Sequence, residues 1–209
     1  MARDLNKTYL YHITDVTNLS NIIAKGGLLS DTAISSAGGP NLMIGHDHIK
    51  TRRMTQYRVP CAGNRLVGEF VPFYYCPRSP MLYVMNRGGT GLPPGGQVNV
   101  VHLVTTVQSA LNVGSPWAIS DSNAGSNYAQ FFNDTAKLDT LNWDAINALS
   151  WNTVTSAKQA EFLVADYFPW KAILGIGCHN AGTHAAVEEI LATTAHKPTV
   201  LTKPAWYYL

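Results

Sequence analysis

The order of its strand-like runs constrains this chain more than any other feature. Leu10 to Ile13, Glu69 to Tyr75, Met81 to Met85, Val98 to Val107, Ala160 to Phe168, Ala172 to Cys178 and Thr199 to Thr202 are rich in β-branched, aromatic and aliphatic residues. Helical patterns fall between them irregularly rather than one after each strand. A doubly wound parallel sheet needs that alternation, so the order predicts an α+β fold. A length of 209 residues fits a single domain, 1–209, with elaborate loops.

Local signals fill in the connections. Asp15 is placed to cap a helix carrying Val16, Leu19, Ile22 and Ile23 at helical spacing, closed by Gly26 and Gly27. Leu28 to Asn41 is rich in Ser, Gly and Ala and reads as a loop. Met43 to Gln56 reads as a helix with a basic end at Lys50, Arg52 and Arg53. Pro72, Pro77 and Pro80 should confine the runs around them to sheet edges or turns. Arg87 to Gly96 holds five glycines and two prolines and is a loop. Gly114 to Tyr128 reads as irregular, Phe131-Phe132 and Trp143 to Leu149 as short helices, and Ala185 to Thr194 as a helix.

The apolar fraction of 46% is enough for a real core, while charged residues, at 13%, are scarce. A net charge of +2 is too small to mark a nucleic-acid binder by bulk electrostatics. The charges are nonetheless uneven. Lys50, Arg52, Arg53, Arg58, Arg65 and Arg78 fall within 29 residues in which Glu69 is the one acid, a local anion site or a solvated face. Three cysteines, at 61, 76 and 178, make no disulfide framework. His46 and His48 would need Cys61 or Cys76 to complete a zinc site, so no metal is expected. The N-terminus lacks a signal-peptide core and no run of eighteen apolar residues occurs, which points to the cytoplasm and away from a membrane.

Two familiar nucleotide motifs fail. Gly175-Ile176-Gly177 is followed by Asn at 180, so the dinucleotide fingerprint lacks its third glycine, and there is no phosphate loop. What stands out instead is Lys158-Gln159-Ala160-Glu161-Phe162-Leu163, which sets one carboxylate at the mouth of an apolar run. A charge there points to water at a strand edge, or it has a partner or a task.

Tyr11-His12-Ile13-Thr14, Ile49-Lys50-Thr51-Arg52-Arg53, the run from Val71 to Tyr83 with its Pro-Arg-Ser-Pro-Met-Leu-Tyr, and Ala160-Glu161-Phe162-Leu163 together resemble the DarT family of bacterial toxins. The resemblance runs from about Tyr11 to Tyr208. It implies an ADP-ribosyltransferase-like split β-sheet with flanking helices, in whose cleft NAD would lie as co-substrate. It implies transfer of ADP-ribose from NAD to a thymine or guanine base of single-stranded DNA, with release of nicotinamide. A macrodomain antitoxin of the DarG kind would be the partner.

Carried onto this chain, the resemblance makes Glu161 the catalytic carboxylate. Arg52 or Arg53 would act with it or hold the NAD diphosphate through a bidentate contact. Helical neighbours point about 100° apart, so only one of the two arginines can face the cleft. His12 and Thr14 match the family's early NAD-contacting motif, and the segment from Asn18 through Ser36, with Asn21 and Leu28, corresponds to the part that wraps NAD. Read as residues alone, His12 is also a core histidine bonded to backbone, and Asn18 a helix-start residue. Where relatives often carry a histidine before the catalytic strand, this chain has Asn123, which can position a ligand but cannot shuttle a proton near neutral pH. Tyr74, Tyr75 and Arg78 are candidate DNA contacts, as stacking faces and a phosphate partner. Removing the Glu161 carboxylate should leave the fold intact.

Two other functions stay compatible with these residues. One keeps the fold and modifies RNA or protein. The other is a nucleic-acid-binding module of the same fold without catalysis, which the joint presence of Glu161 and the arginine pair argues against.

Overall fold

The computed structural model describes residues 2–36, 47–89 and 91–209. Its centre is an eight-stranded mixed sheet in the order Thr199–Thr202, Gly175–Cys178, Val100–Thr106, Tyr9–Asp15, Phe70–Tyr74, Glu161–Ala165, Trp117–Ser120, Phe131–Phe132. Among the described residues, only the pair Gly175–Cys178 and Thr199–Thr202 is parallel. Helices flank the sheet without βαβ alternation, as the order of the sequence runs requires, in an α+β domain.

The sheet is split at its middle. Tyr9–Asp15 pairs with Val100–Thr106 along its whole length, from Tyr9↔Thr106 to Asp15↔Val100. On its other side it meets Phe70–Tyr74 at one position, Tyr11↔Tyr74. Pro72 explains the gap. It lies in a central strand rather than at the expected edge, and with no N–H it cannot donate across to Tyr9–Asp15. Its carbonyl takes a hydrogen bond from a side chain instead, the His12 Nδ1–H at 2.9 Å.

Strand alternation sorts the two faces. Leu10, Phe73, Leu103, Phe162 and Val164 point into the main core, under the helices Leu19–Ala24 and Ala181–Leu191. Phe162 stacks on Trp117 with ring centroids 5.4 Å apart. The opposite face carries two smaller clusters. Val59, Val67, Phe70, Leu163 and Ala165 cover one half-sheet, and Ile13, Leu82, Met85, Val100 and Tyr207 cover the other. Tyr11, Tyr74 and Glu161 share this second face in one row across the split.

Several expected elements differ. Met81 to Met85 belongs to a helix, Pro80–Asn86, because Ser79 accepts from the Leu82 amide and Pro80 sits at the first helical position, overriding β-prone side chains. Leu28 to Asn41 is not one loop. Gly27–Leu29 is a strand paired with Tyr167–Pro169, Asp31–Ser36 is a helix, and residues 37–41 lie outside those described. The helix expected from Met43 is present as Asp47–Thr55, with 43–46, including His46, outside the described residues. Trp117–Ser120 is a strand within the stretch read as irregular, and Phe131–Phe132 is its short partner rather than a helix. The run Ala160 to Phe168 breaks at Asp166, whose φ of 61° turns the chain out of the main sheet to pair with Gly27–Leu29.

Candidate active site

Glu161 opens its strand and is 1% exposed, so it does not point to water. Register places it between Tyr74 and Ser120 on adjacent strands. The Ser120 hydroxyl accepts from the Glu161 amide at 3.1 Å and donates to the Ser122 carbonyl at 2.7 Å, fixing where the strand begins.

The carboxylate itself is held by three donors. Arg53, from the helix Asp47–Thr55, gives a two-armed contact, Nη1 to Oε1 at 3.1 Å and Nη2 to Oε2 at 3.0 Å. The Ala124 amide adds 2.9 Å to Oε1. Burial alone would lower the Arg53 pKa, but the charge and hydrogen bonds of Glu161 outweigh it and raise the value, so the guanidinium stays charged. A carboxylate has about four acceptor positions. Among the described residues three are filled, which leaves one on Oε2.

Of the two adjacent arginines, Arg53 is the one that meets Glu161. Arg53 turns inward, while Arg52 is exposed, lies over the Tyr57 ring at 4.9 Å and bonds the Tyr57 hydroxyl and Gln56. Arg53's fork is engaged by Glu161, so its approach to a phosphate would use its remaining N–H groups. The expectation that loss of the Glu161 carboxylate leaves the fold untouched is also revised. Truncation would strand a buried guanidinium and a buried amide.

Sequence reading passed over the Ala124 amide, because a backbone donor leaves no residue-type signal. Its placement does have a side-chain cause. Asn123 Oδ1 accepts from the Gly125 amide at 2.7 Å, an Asx turn that aims Ala124 N–H at the carboxylate. Asn123 thus shapes this loop where relatives often place a histidine. Gly125 packs against the arginine: a Cβ there would lie 3.3 Å from Arg53 Cγ and 3.0 Å from Asn123 Oδ1.

The other expected site residues form an outer tier. His12 crosses the sheet split to Pro72 and packs edge-on to Phe73 at 5.7 Å. Burial lowers its pKa, Pro72 and Asp31 oppose that, and Lys50 adds to it. With Nδ1 donating, Nε2 is its acceptor. Thr14 and Asn18 are buried and joined, Asn18 Nδ2 to Thr14 Oγ1 at 3.2 Å, while Asp15 performs the cap through the Thr17 amide at 2.9 Å. Asn21 is half-buried on the helix Leu19–Ala24. The Leu28 side chain belongs to the main core and its backbone is paired with Phe168, so neither is left to meet a ligand. Asp31, which sequence reading did not single out, acts electrostatically on both His12 and Arg53 and pairs with Lys50 at 3.3 Å.

Of the candidate DNA contacts, Tyr74 is half-buried beside Glu161, and burial followed by that charge raises its hydroxyl pKa, so it remains a neutral donor. Tyr75 is 5% exposed and packs edge-on to Trp143 at 5.4 Å, which removes it as a stacking surface for a base. Arg78 is half-buried, 4.6 Å over the Tyr208 ring. Among the described residues no group of three His, Cys, Asp or Glu side chains could hold a metal, and no helix is long and apolar enough to cross a membrane.

The split mixed sheet, with a buried, arginine-held carboxylate one strand from the split, agrees with the ADP-ribosyltransferase-like fold expected from the sequence. Comparison with known proteins identifies which kind. The family profile described as ssDNA thymidine ADP-ribosyltransferase, DarT, matches residues 11–208. A protein of Thermus aquaticus named DNA ADP-ribosyl transferase is 38% identical over 203 residues, covering 96% of this chain and 89% of its own. The structure of Thermus sp. 2.9 DarT in complex with ADP-ribosylated ssDNA superposes with a TM-score of 0.91 at 34% identity, covering both chains in full. The same Thermus protein in complex with NAD+ gives 0.87 at 32% identity, again covering both in full. The chain belongs to the DarT family of NAD-dependent DNA ADP-ribosyltransferases.

Proposed function

We propose that this protein is the toxin of a toxin–antitoxin pair and transfers ADP-ribose from NAD to thymine in single-stranded DNA. The observation that carries the reading is the buried Glu161 carboxylate, clamped by Arg53 and the Ala124 amide and keeping one acceptor position on Oε2. NAD supplies the electrophile: its ribose–nicotinamide bond breaks, nicotinamide leaves, and positive charge develops on the sugar. Glu161 stabilises that charge and accepts from a ribose hydroxyl, held in place before reaction by Arg53. The acceptor nitrogen of the base then bonds to the sugar carbon and gives up its proton, for which the same carboxylate is the nearest anionic acceptor.

Asp31 acts electrostatically on both His12 and Arg53, which supports placing His12, and with it the neighbouring Thr14, Asn18 and Asn21, on the NAD side. The open Nε2 of His12 suits a ribose or carboxamide donor. Tyr74, a neutral donor beside Glu161, suits a contact to the incoming base. Family membership supports thymine over guanine, a macrodomain antitoxin that removes the mark, and a cytoplasmic site of action.

The test is incubation of the protein with NAD labelled in its adenylate moiety and short oligonucleotides differing in one base. Label should enter single strands containing thymine and not duplexes. Label appearing in RNA or protein, with none in any deoxyoligonucleotide, would replace this reading with the alternative acceptor.

A further inference from the structure

The charge distribution contains a second pattern. The 51 residues from 70 to 120 contain no Asp or Glu, nor do the 16 from 145 to 160 or the 20 from 190 to 209. The fold brings these three segments together in one aromatic corner. Tyr83, on the helix Pro80–Asn86, meets the Trp151 ring edge-on at 5.4 Å and the Tyr208 ring at 5.1 Å. Trp151 Nε1 donates to the Tyr208 hydroxyl at 3.1 Å, which in turn donates to the Arg78 carbonyl at 2.8 Å. The rings are therefore locked before any ligand arrives. Their outer edge is open, with Tyr83 38% exposed and Trp151 half-buried.

Cations flank the corner on both sides. Arg78 lies on the Tyr208 face, makes no ion pair among the described residues, and its buried Nε has no hydrogen-bond partner. Arg87 is exposed one helical turn beyond Tyr83. The corner starts beside the catalytic carboxylate. Arg78 follows Tyr74 by four residues, a span of at most about 14 Å of chain, and Tyr74 is in register with Glu161. An aromatic pair between two arginines, on segments that carry no acid, fits a strand of unpaired bases on a phosphate backbone.

We infer that Tyr83 and Trp151, with Arg78 and Arg87, form a stacking subsite for a base of the single-stranded DNA next to the one that is modified. This rests on the proposed DNA acceptor and adds the path the strand takes from it. Tyr83 supplies the ring face and Arg87 a phosphate contact. Trp151 and Tyr208 hold Tyr83 in place.

The experiment measures transfer to a thymine-containing oligonucleotide at saturating NAD. Tyr83→Ala should raise KM for the oligonucleotide about tenfold, as loss of one base–aromatic stack predicts, with the loss falling on KM rather than kcat. Tyr83→Phe should restore the wild-type KM. Arg87→Ala should raise KM about threefold and lower the slope of log KM against log salt by about one. Wild-type KM in both alanine variants would overturn the subsite while leaving DNA transfer standing. A loss in kcat alone, or one matched by a fall in thermal midpoint, would also overturn it. If wild-type protein labels no oligonucleotide, the proposed function and the subsite fail together.

Discussion

The buried polar groups around Glu161 include an ion pair with Arg53; around His102, on the same face of the sheet, they are neutral. The His102 side chain is fully buried, its Nε2–H donates to the Pro77 carbonyl at 2.9 Å, and its Nδ1 lies 3.2 Å from the Tyr207 hydroxyl. That hydroxyl also lies 2.8 Å from the Val100 carbonyl and 3.0 Å from the Gly177 carbonyl, which share its one proton and tie the C-terminal segment to two strands. Every polar atom of this cluster is turned to another within it. The Glu161 cluster tolerates a costlier arrangement, a buried ion pair, and keeps one acceptor position open. A neutral, closed network is what a scaffold needs; a charged, open one is what a reacting sugar needs.

The contrast breaks first at Arg53. Arg53→Ala leaves the Glu161 carboxylate buried without its cation and should destabilise the fold by about 3–5 kcal/mol, read from denaturant unfolding. If the loss were that of a surface substitution, the pair would not be the buried clamp described. In the neutral cluster, Tyr207→Phe removes one hydroxyl that serves several partners and should cost about 1–3 kcal/mol, with transfer per folded molecule unchanged.

The pH response sharpens the same difference. Burial lowers the His102 pKa to about 4, against an unfolded value of about 6.5. The unfolded chain therefore binds the extra proton between those values. This contribution to stability is complete above about pH 6.5 and is lost as pH falls toward about 4. His12, also lowered, adds in the same direction. Unfolding midpoints from about pH 7 down to about pH 4.5 should fall, and His102→Asn should flatten that slope. The smallest effect belongs to Arg52. Its side chain is exposed, so Arg52→Ala should change stability by no more than about 0.5 kcal/mol, one residue away from the largest loss.

The fold class was legible because it depends on the order of strong apolar runs, and Val100–Thr106 and Glu161–Ala165 are strong ones. Trp117–Ser120 was not, since four residues inside a Gly, Ser and Asn-rich stretch give too little pattern, and pairing with Glu161–Ala165 is what makes them a strand. The Met81 to Met85 run misled because capping by Ser79 and Pro80 outweighs side-chain propensity. At the site, Glu161 announced itself as a charge in an apolar context. Which arginine meets it depends on helix phase, and no residue-type signal marks the Ala124 amide. The split of the sheet was present in the sequence as Pro72, misread as an edge marker because an interior strand usually excludes proline.

The central claim is that the Glu161 carboxylate stabilises the sugar cation formed from NAD. Glu161→Gln keeps the size of the side chain and one acceptor while removing the charge, so the most direct measurement is transfer of labelled ADP-ribose to a thymine-containing oligonucleotide by this variant, beside a circular-dichroism spectrum showing it folded. The rate should fall by at least about 10²–10³. A folded Gln variant that transfers at a rate within a fewfold of wild type would contradict the account.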